Sequence, residues 1–215
     1  MDPKSLIREL ENLPADYAEF GGKLSEVYQM FIDCINKCVA SGSLSLFKSE
    51  FSEFIYSYFS RLDPKKIELC FLEYENNLLE NLDKLFLQEE IQHRRYPVDA
   101  IYLCYNPGLY YVSSVLCGCS EYSQYNHDWI GGFYHDTGQI EVAEELLCWN
   151  DLGLEFDAYS KDHEIARLFV YMMVLWASCR AIKNSKYCEF PFSFSCHDSP
   201  CDIIDISYRS RINLI

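Results

Sequence analysis

The sequence has no apolar run long enough to cross a membrane without interruption by charge. The best candidate, IARLFVYMMVLWASCRAI at 165–182, contains Arg167 and Arg180, whereas a spanning helix needs roughly 20 predominantly apolar residues. The first residues, MDPKSLIREL, carry charges where a signal peptide has an apolar stretch. We therefore expect a soluble, cytoplasmic protein that has no membrane among its partners.

The sequence also lacks the short motifs that identify common enzyme classes. It has no GxxxxGK[ST], GxGxxG, HExxH or GxSxG, which disfavours nucleotide-binding, zinc-protease and hydrolase-elbow enzymes. We expect no catalytic residues and no cofactor. One alternative stays open: a small intracellular hydrolase with Cys104 or Cys117 as nucleophile, His197 as base and Asp198 or Asp202 as the orienting acid. With 11 cysteines and 5 histidines, such a combination also arises by chance.

No paired CxxC spacing accompanies the many cysteines, so a structural zinc site lacks its usual pattern. The nearest candidates are Cys117-Gly118-Cys119 and the CHDSPC segment with Cys196, His197 and Cys201. We expect no bound metal. The odd number of cysteines and the absence of an export signal favour reduced thiols. Four of them fall within helical patterns and are expected to fill the core: Cys34, Cys38, Cys70 and Cys179.

No stretch rich in proline, glycine and serine divides the chain, so we expect a single domain over 1–215. Its first part, 1–95, is expected to be helical, and 96–215 to mix strands and helices. Apolar residues at three- and four-residue steps predict helices at 22–40 and 45–60. A third helix should begin at Asp63-Pro64, a capping residue followed by proline at the first helical position.

The second part begins with a predicted hairpin, in which two β-branched and aromatic runs flank Asn106-Pro107-Gly108. Residues 139–149 predict a short acidic helix, and 165–182 a long central helix in which Trp176 should be deeply buried. Short alternating pieces in the tail are expected to close the sheet as edge strands. The fold class is therefore α+β: a helical N-terminal half packed with a small, mainly antiparallel sheet and a long central helix in the C-terminal half.

Basic residues are nearly absent from 121–164, which has eleven acids and the single base Lys161, while the whole chain has a formal net charge of −15. A field of this sign repels nucleic acid and raises the encounter rate with a basic protein. A merely solvated acidic surface is the alternative. Aromatic residues lie among the acids, as in many tight interfaces. The expected partner-binding residues are Glu121, Tyr122, Tyr125, Asp128, Trp129, Asp136, Glu141, Glu144, Glu145, Trp149, Asp151, Glu155 and Asp157.

The hairpin AIYLCYNPGLYYVSSVLCGCSEYS is followed by HDWIGGFYHD with Trp129, then by an acidic helix, a long apolar helix and a late strand with His197-Asp198. This order resembles immunity proteins of bacterial polymorphic toxin systems. The resemblance covers about 97–205. It implies a cytoplasmic antitoxin that binds a cognate secreted toxin domain, and the charge favours a basic toxin such as a nuclease. An adaptor that binds a basic protein without inhibiting it is the remaining alternative. The oligomeric state is left open.

Overall fold

The fold is α+β, as the sequence predicts. A computed structural model describes residues 2–91, 98–107, 111–121, 140–154, 160–196 and 204–205. The elements, in chain order, are α1 (Pro3–Glu11), α2 (Tyr17–Ser41), α3 (Leu44–Tyr58), α4 (Pro64–Ile91), β1 (Ala100–Pro107), β2 (Tyr111–Cys119), β3 (Ile140–Cys148), a 3-10 turn (Trp149–Leu152), α5 (Lys161–Asn184), β4 (Phe192–Cys196) and β5 (Ile204–Asp205).

The chain divides into two compact units. The first combines Met1–Phe71 with Cys148–Trp176. The second combines Leu72–Leu147 with Ala177–Ile212. Helices α4 and α5 therefore contribute residues to both units, and neither unit coincides with the predicted helical subregion 1–95 or mixed subregion 96–215. The expectation of one domain over 1–215 stays a prediction.

The three predicted N-terminal helices are confirmed as α2, α3 and α4. Asp63 caps α4, since its carboxylate accepts a hydrogen bond from the Lys65 backbone N–H at 2.9 Å. Gly42 follows α2 with a φ of 71°, a conformation that costs glycine little. Helix α1 was not predicted, although it has the same signal: Asp2 accepts from the Ser5 N–H, and proline occupies the first turn.

Aromatic packing forms the core of the first unit. Phe31 lies 6.0 Å from Phe47 and 5.8 Å from Phe51 between ring centroids, which joins α2 to α3. Tyr171 on α5 meets Phe31 edge-on at 5.5 Å. Such edge contacts are a favoured aromatic geometry and add to the free energy gained by burial. The spacing of phenylalanines on α2 and α3 thus fixes how these helices pack with the first half of α5.

A five-stranded sheet in the order β3-β2-β1-β4-β5 forms the centre of the second unit. The predicted hairpin is confirmed, because β1 and β2 pair antiparallel with Leu103 opposite Leu116. The tail does supply strands, but β4 is not the edge strand we expected. It lies between β1 and β5 and runs parallel to β1, with Leu103 opposite Phe194. Strands β4 and β5 pair antiparallel, so two of these three pairings have the predicted direction.

The prediction of an acidic helix at 139–149 is wrong. Ile140–Cys148 form strand β3, a neighbour of β2, and the 3-10 turn begins at Trp149. The segment QIEVAEELLCW also fits a period of two apart from Glu144, since Ile140, Val142, Leu146 and Cys148 occupy every second position around it. Glutamate, leucine and alanine favour a helix locally, but pairing with β2 overrides that preference.

Helix α4 approaches one face of this sheet closely. Its Tyr74 hydroxyl shares a 2.7 Å hydrogen bond with Ser114 on β2. A Cβ placed on Gly118 would lie 2.7 Å from Cγ2 of Val98 and 3.1 Å from Cδ1 of Leu85. Only glycine leaves room for this approach. Deeper in the unit, the Glu75 carboxylate is paired with Arg180 at 3.3 Å and accepts a hydrogen bond from Asn184 at 3.4 Å.

The long C-terminal-half helix is confirmed as α5, with Phe169, Met172 and Leu175 fully buried. Among the described residues it is the one helix long and apolar enough to span a membrane by length and composition, but 83% of that window is buried inside the protein. Such burial is typical of the core helix of a soluble protein. The prediction for Trp176 is wrong: its side chain is only partly buried, with the Lys48 ammonium 6.0 Å from its ring.

Candidate functional site

The structure describes six of the thirteen expected partner-binding residues. Glu121 is exposed just after β2, and Glu141, Glu144 and Glu145 belong to β3. Trp149 and Asp151 lie in the 3-10 turn. The remaining seven lie outside the described residues: Tyr122, Tyr125, Asp128, Trp129, Asp136, Glu155 and Asp157.

Strand β3 is the most distinctive feature among these residues. It is nine residues long and comes first in the strand order, so within the described part of the chain only β2 pairs with it. An edge strand presents a row of backbone N–H and C=O groups to which another extended segment can bind. Charged residues on such an edge oppose unspecific pairing with other chains. Glu141, Glu144 and Glu145 belong to this strand.

Trp149 is not an exposed anchor, in contrast to our expectation. Its side chain is only 4% exposed, and its ring lies against His163 with 5.6 Å between centroids. The turn that follows is closed by a hydrogen bond from the Leu154 N–H to the Trp149 carbonyl oxygen at 3.0 Å. Trp149 therefore contributes to the core of the first unit. The sequence analysis missed this, because it grouped Trp149 with the acids of 121–164 and placed it at the end of a helix, 139–149, that does not form.

The charged residues at the start of α5 are committed to internal contacts. Lys161, the lone base of the acidic stretch, donates to the carbonyl oxygens of Glu11 and Leu13 at 3.1 and 2.7 Å, at the C-terminal end of α1. Asp162 accepts a hydrogen bond from the Tyr58 hydroxyl at 2.8 Å. Burial, together with this carboxylate, raises the pKa of Tyr58. These charges hold α5 to α1 and α3, a role that the sequence analysis missed.

Glu164 is also buried, so it does not contribute to the acidic surface. It is 8% exposed, and both of its carboxylate oxygens accept hydrogen bonds from Arg167 at 3.2 Å. A buried carboxylate needs such a partner because desolvation otherwise disfavours its charge. The acidic character available to a partner is therefore reduced at the end of the 121–164 stretch.

The cysteines proposed as nucleophiles lie in a buried cluster on the second face of the sheet. Cys104 is 5% exposed and Cys117 is fully buried, and Tyr102 lies beside them. The Tyr102 hydroxyl shares a 2.6 Å hydrogen bond with Ser195 on β4. The proposed base and orienting acids, His197, Asp198 and Asp202, lie outside the described residues. The structure therefore does not bring a hydrolase triad together among the residues it describes.

Burial opposes thiolate formation at other cysteines as well. Burial raises the pKa of the Cys179 thiol to about 12. A hydrogen bond with Cys38, followed by burial, raises the pKa of Cys34. In the described parts of the chain, no group of three histidine, cysteine, aspartate or glutamate side chains is arranged to hold a metal ion. The candidate ligands Cys201 and His197 fall outside those parts.

Neither a family model, nor a curated protein, nor a solved structure matches the chain.

Proposed function

We propose that the protein is an immunity-type inhibitor that binds a basic, secreted bacterial toxin domain in the cytoplasm. The observation that carries the proposal is the position of Glu141, Glu144 and Glu145 in β3, which is an edge strand of the sheet as far as the described residues go. These residues belong to the stretch 121–164, which contains eleven acidic residues and one basic residue. The resemblance of 97–205 to immunity proteins supports the same function.

The physical basis is a two-step association. The negative field of the chain accelerates encounter with a basic domain, and salt weakens that acceleration because the Debye length is about 8 Å at physiological ionic strength. A basic extended segment of the toxin then pairs with the backbone of β3, where main-chain hydrogen bonds supply affinity and the glutamates select the partner's charge. Occupying such a segment blocks either the toxin's active site or its approach to substrate.

The direct test is charge reversal in β3. The partner to be used is the C-terminal domain of the large secreted protein that this proposal expects the neighbouring upstream gene to encode. We expect Glu141→Lys, Glu144→Lys and Glu145→Lys, combined in one chain, to lower the on-rate at least about ten-fold at low salt, since steering changes rates by about 10 to 1,000-fold. The same variant should fail to protect cells that express the toxin domain.

A matched variant controls for net charge. Glu53, Glu73 and Glu80 are exposed on α3 and α4, and reversing them changes the net charge by the same amount outside the acidic stretch. We expect this control to retain most of the on-rate and the protection. Equal losses in both variants would leave only a general effect of net charge and would contradict docking at β3. Binding without protection would favour the adaptor, and turnover of a substrate that depends on Cys104 or Cys117 would favour the hydrolase.

A further inference from the structure

Two cysteines of α2 lie one helical turn apart in the core of the first unit. Cys34 and Cys38 are four residues apart in sequence. This spacing puts both side chains on the same face of the helix, with about 5–6 Å between their Cβ atoms. The two thiols are hydrogen-bonded to each other, with Cys34 fully buried and Cys38 only 6% exposed. Neither thiol belongs to the interface proposed for β3.

The two thiols differ in how readily they lose a proton. The hydrogen bond from Cys34 lowers the pKa of Cys38 to about 7, with burial and Glu50 acting in the opposite direction and the Ser43 hydroxyl in the same one. Ser43 is held beside Cys38 because its backbone N–H donates to the Cys38 carbonyl oxygen at 2.9 Å. The contact with Cys38, together with burial, raises the pKa of Cys34. Near neutral pH the pair therefore combines one thiolate with one thiol, as in a reactive cysteine beside a resolving cysteine.

The end of α2 leaves Cys38 a small accessible surface. The helix ends at Ser41, three residues after Cys38, and both Ser41 and Gly42 are exposed. A Cβ placed on Gly42 would meet no atom within 4 Å, so none of the described residues covers the backbone at this end. The narrow opening suits an oxidant as small as hydrogen peroxide. Such an oxidant meets Cys38 first, because Cys34 has no exposed surface.

We propose that Cys34 and Cys38 form a dithiol that hydrogen peroxide oxidises, in which Cys38 is modified first and Cys34 converts the product into a disulfide. The Cys38 thiolate attacks one oxygen of the peroxide and the O–O bond breaks, so that Cys38 becomes a sulfenic acid. The hydroxide that leaves takes up the proton that Cys38 had released. The Cys34 sulfur then attacks the Cys38 sulfur, the S–O bond breaks, and the departing hydroxide takes the Cys34 proton. Two thiols thus lose two electrons, and one peroxide becomes two waters.

The disulfide requires the last turn of α2 to change. A disulfide holds its two Cβ atoms about 3.5–4.5 Å apart, which is closer than positions one turn apart in a regular helix. The helix ends just beyond Cys38, where Gly42 has a φ of 71°, so the last turn can unwind without breaking the rest of α2. Oxidation should therefore speed hydrogen exchange of the backbone amides between Cys38 and Ser43.

The test uses the full, reduced chain without any partner, so it does not depend on the proposed function. Trypsin cleaves after Lys37 and separates the two cysteines into peptides 24–37 and 38–48. After treatment with hydrogen peroxide, mass spectrometry should find these peptides joined by a disulfide, and a thiol reductant should release them. Cys179 is the matched control, because burial raises the pKa of its thiol to about 12. Its thiol, in peptide 168–180, should stay unmodified.

Two substitutions at Cys34 separate its two roles. Cys34→Ser keeps a hydroxyl donor beside Cys38 but cannot form a disulfide, so the sulfenic acid should persist and be captured at Cys38 by dimedone. Cys34→Ala removes the donor as well. The rate of dimedone labelling at pH 7 should then fall about ten-fold, as the pKa of Cys38 returns toward the ordinary value of about 8.5.

The measurement on the native chain decides the proposal even if a variant fails to fold. Oxidation of Cys179 as fast as that of Cys38 would overturn it, because the pair would then have no special reactivity. A native chain in which peptides 24–37 and 38–48 stay separate after peroxide treatment would overturn it as well. In folded variants, equal labelling of Cys38 in Cys34→Ser and Cys34→Ala would contradict activation of Cys38 by its neighbour.

Discussion

Replacing Arg180 with methionine should destabilise the protein, because it leaves the buried Glu75 carboxylate without its cation. The Glu75 side chain is 6% exposed, whereas the Arg180 side chain is 40% exposed. After the change, the remaining described hydrogen bond to Glu75 is the 3.4 Å contact from Asn184. Breaking a fully buried pair costs about 3–5 kcal/mol, and a surface pair costs less than about 1 kcal/mol. The partial exposure of Arg180 places the expected loss at about 2–3 kcal/mol.

The assay is urea unfolding followed by circular dichroism, with thermal melting as a second measure. For a chain of this length, the expected loss corresponds to a fall in Tm of roughly 4–12 °C. The double variant Glu75→Gln/Arg180→Met should recover part of the lost stability, because it removes the uncompensated charge. The control is Asp83→Asn, which breaks the exposed pair with Lys186 at 3.1 Å. We expect that variant to melt like the native protein. If Arg180→Met destabilised no more than Asp83→Asn, the Glu75 pair would have no stabilising role.

Three further substitutions test the packing of the two units. Gly118→Ala should lower the free energy of unfolding by about 1–3 kcal/mol, because the added Cβ collides with Val98. Gly22→Ala in α2, where no atom lies within 4 Å of the added Cβ, should raise it by about 0.5–1 kcal/mol. Equal melting temperatures for the two variants would contradict the close approach at Gly118. Lys161→Met should lower the free energy of unfolding in urea by about 1 kcal/mol, because the carbonyl oxygens at the end of α1 lose their hydrogen-bond donor. An unchanged unfolding midpoint would refute this role of Lys161. Trp149→Ala should cost about 3–5 kcal/mol by melting. Native stability with faster dissociation from the toxin would instead restore Trp149 as a surface anchor.

Several features of the candidate site could not be predicted from sequence for one physical reason. The segment 139–149 satisfies both a helical and an extended pattern over its length, and only a neighbouring strand decides between them. Once β2 supplies that neighbour, Glu141 and its companions lie in an edge strand. Trp149 then falls after the strand and packs against His163. The presence of acidic and aromatic residues close together in sequence does not tell whether the aromatic side chain is exposed or buried, so it cannot by itself identify an interface.

The sequence by itself determined the α+β class, helices α2 to α5 and the β1–β2 hairpin, because periodicity, capping residues and turn residues act over short distances along the chain. Tertiary structure decided what depends on distant neighbours. It placed β4 inside the sheet beside β1, left Trp176 partly exposed, and used Lys161 to bond the carbonyls at the end of α1. Residues separated by about 150 positions leave no local pattern, so their pairing follows only from the packing of the folded chain.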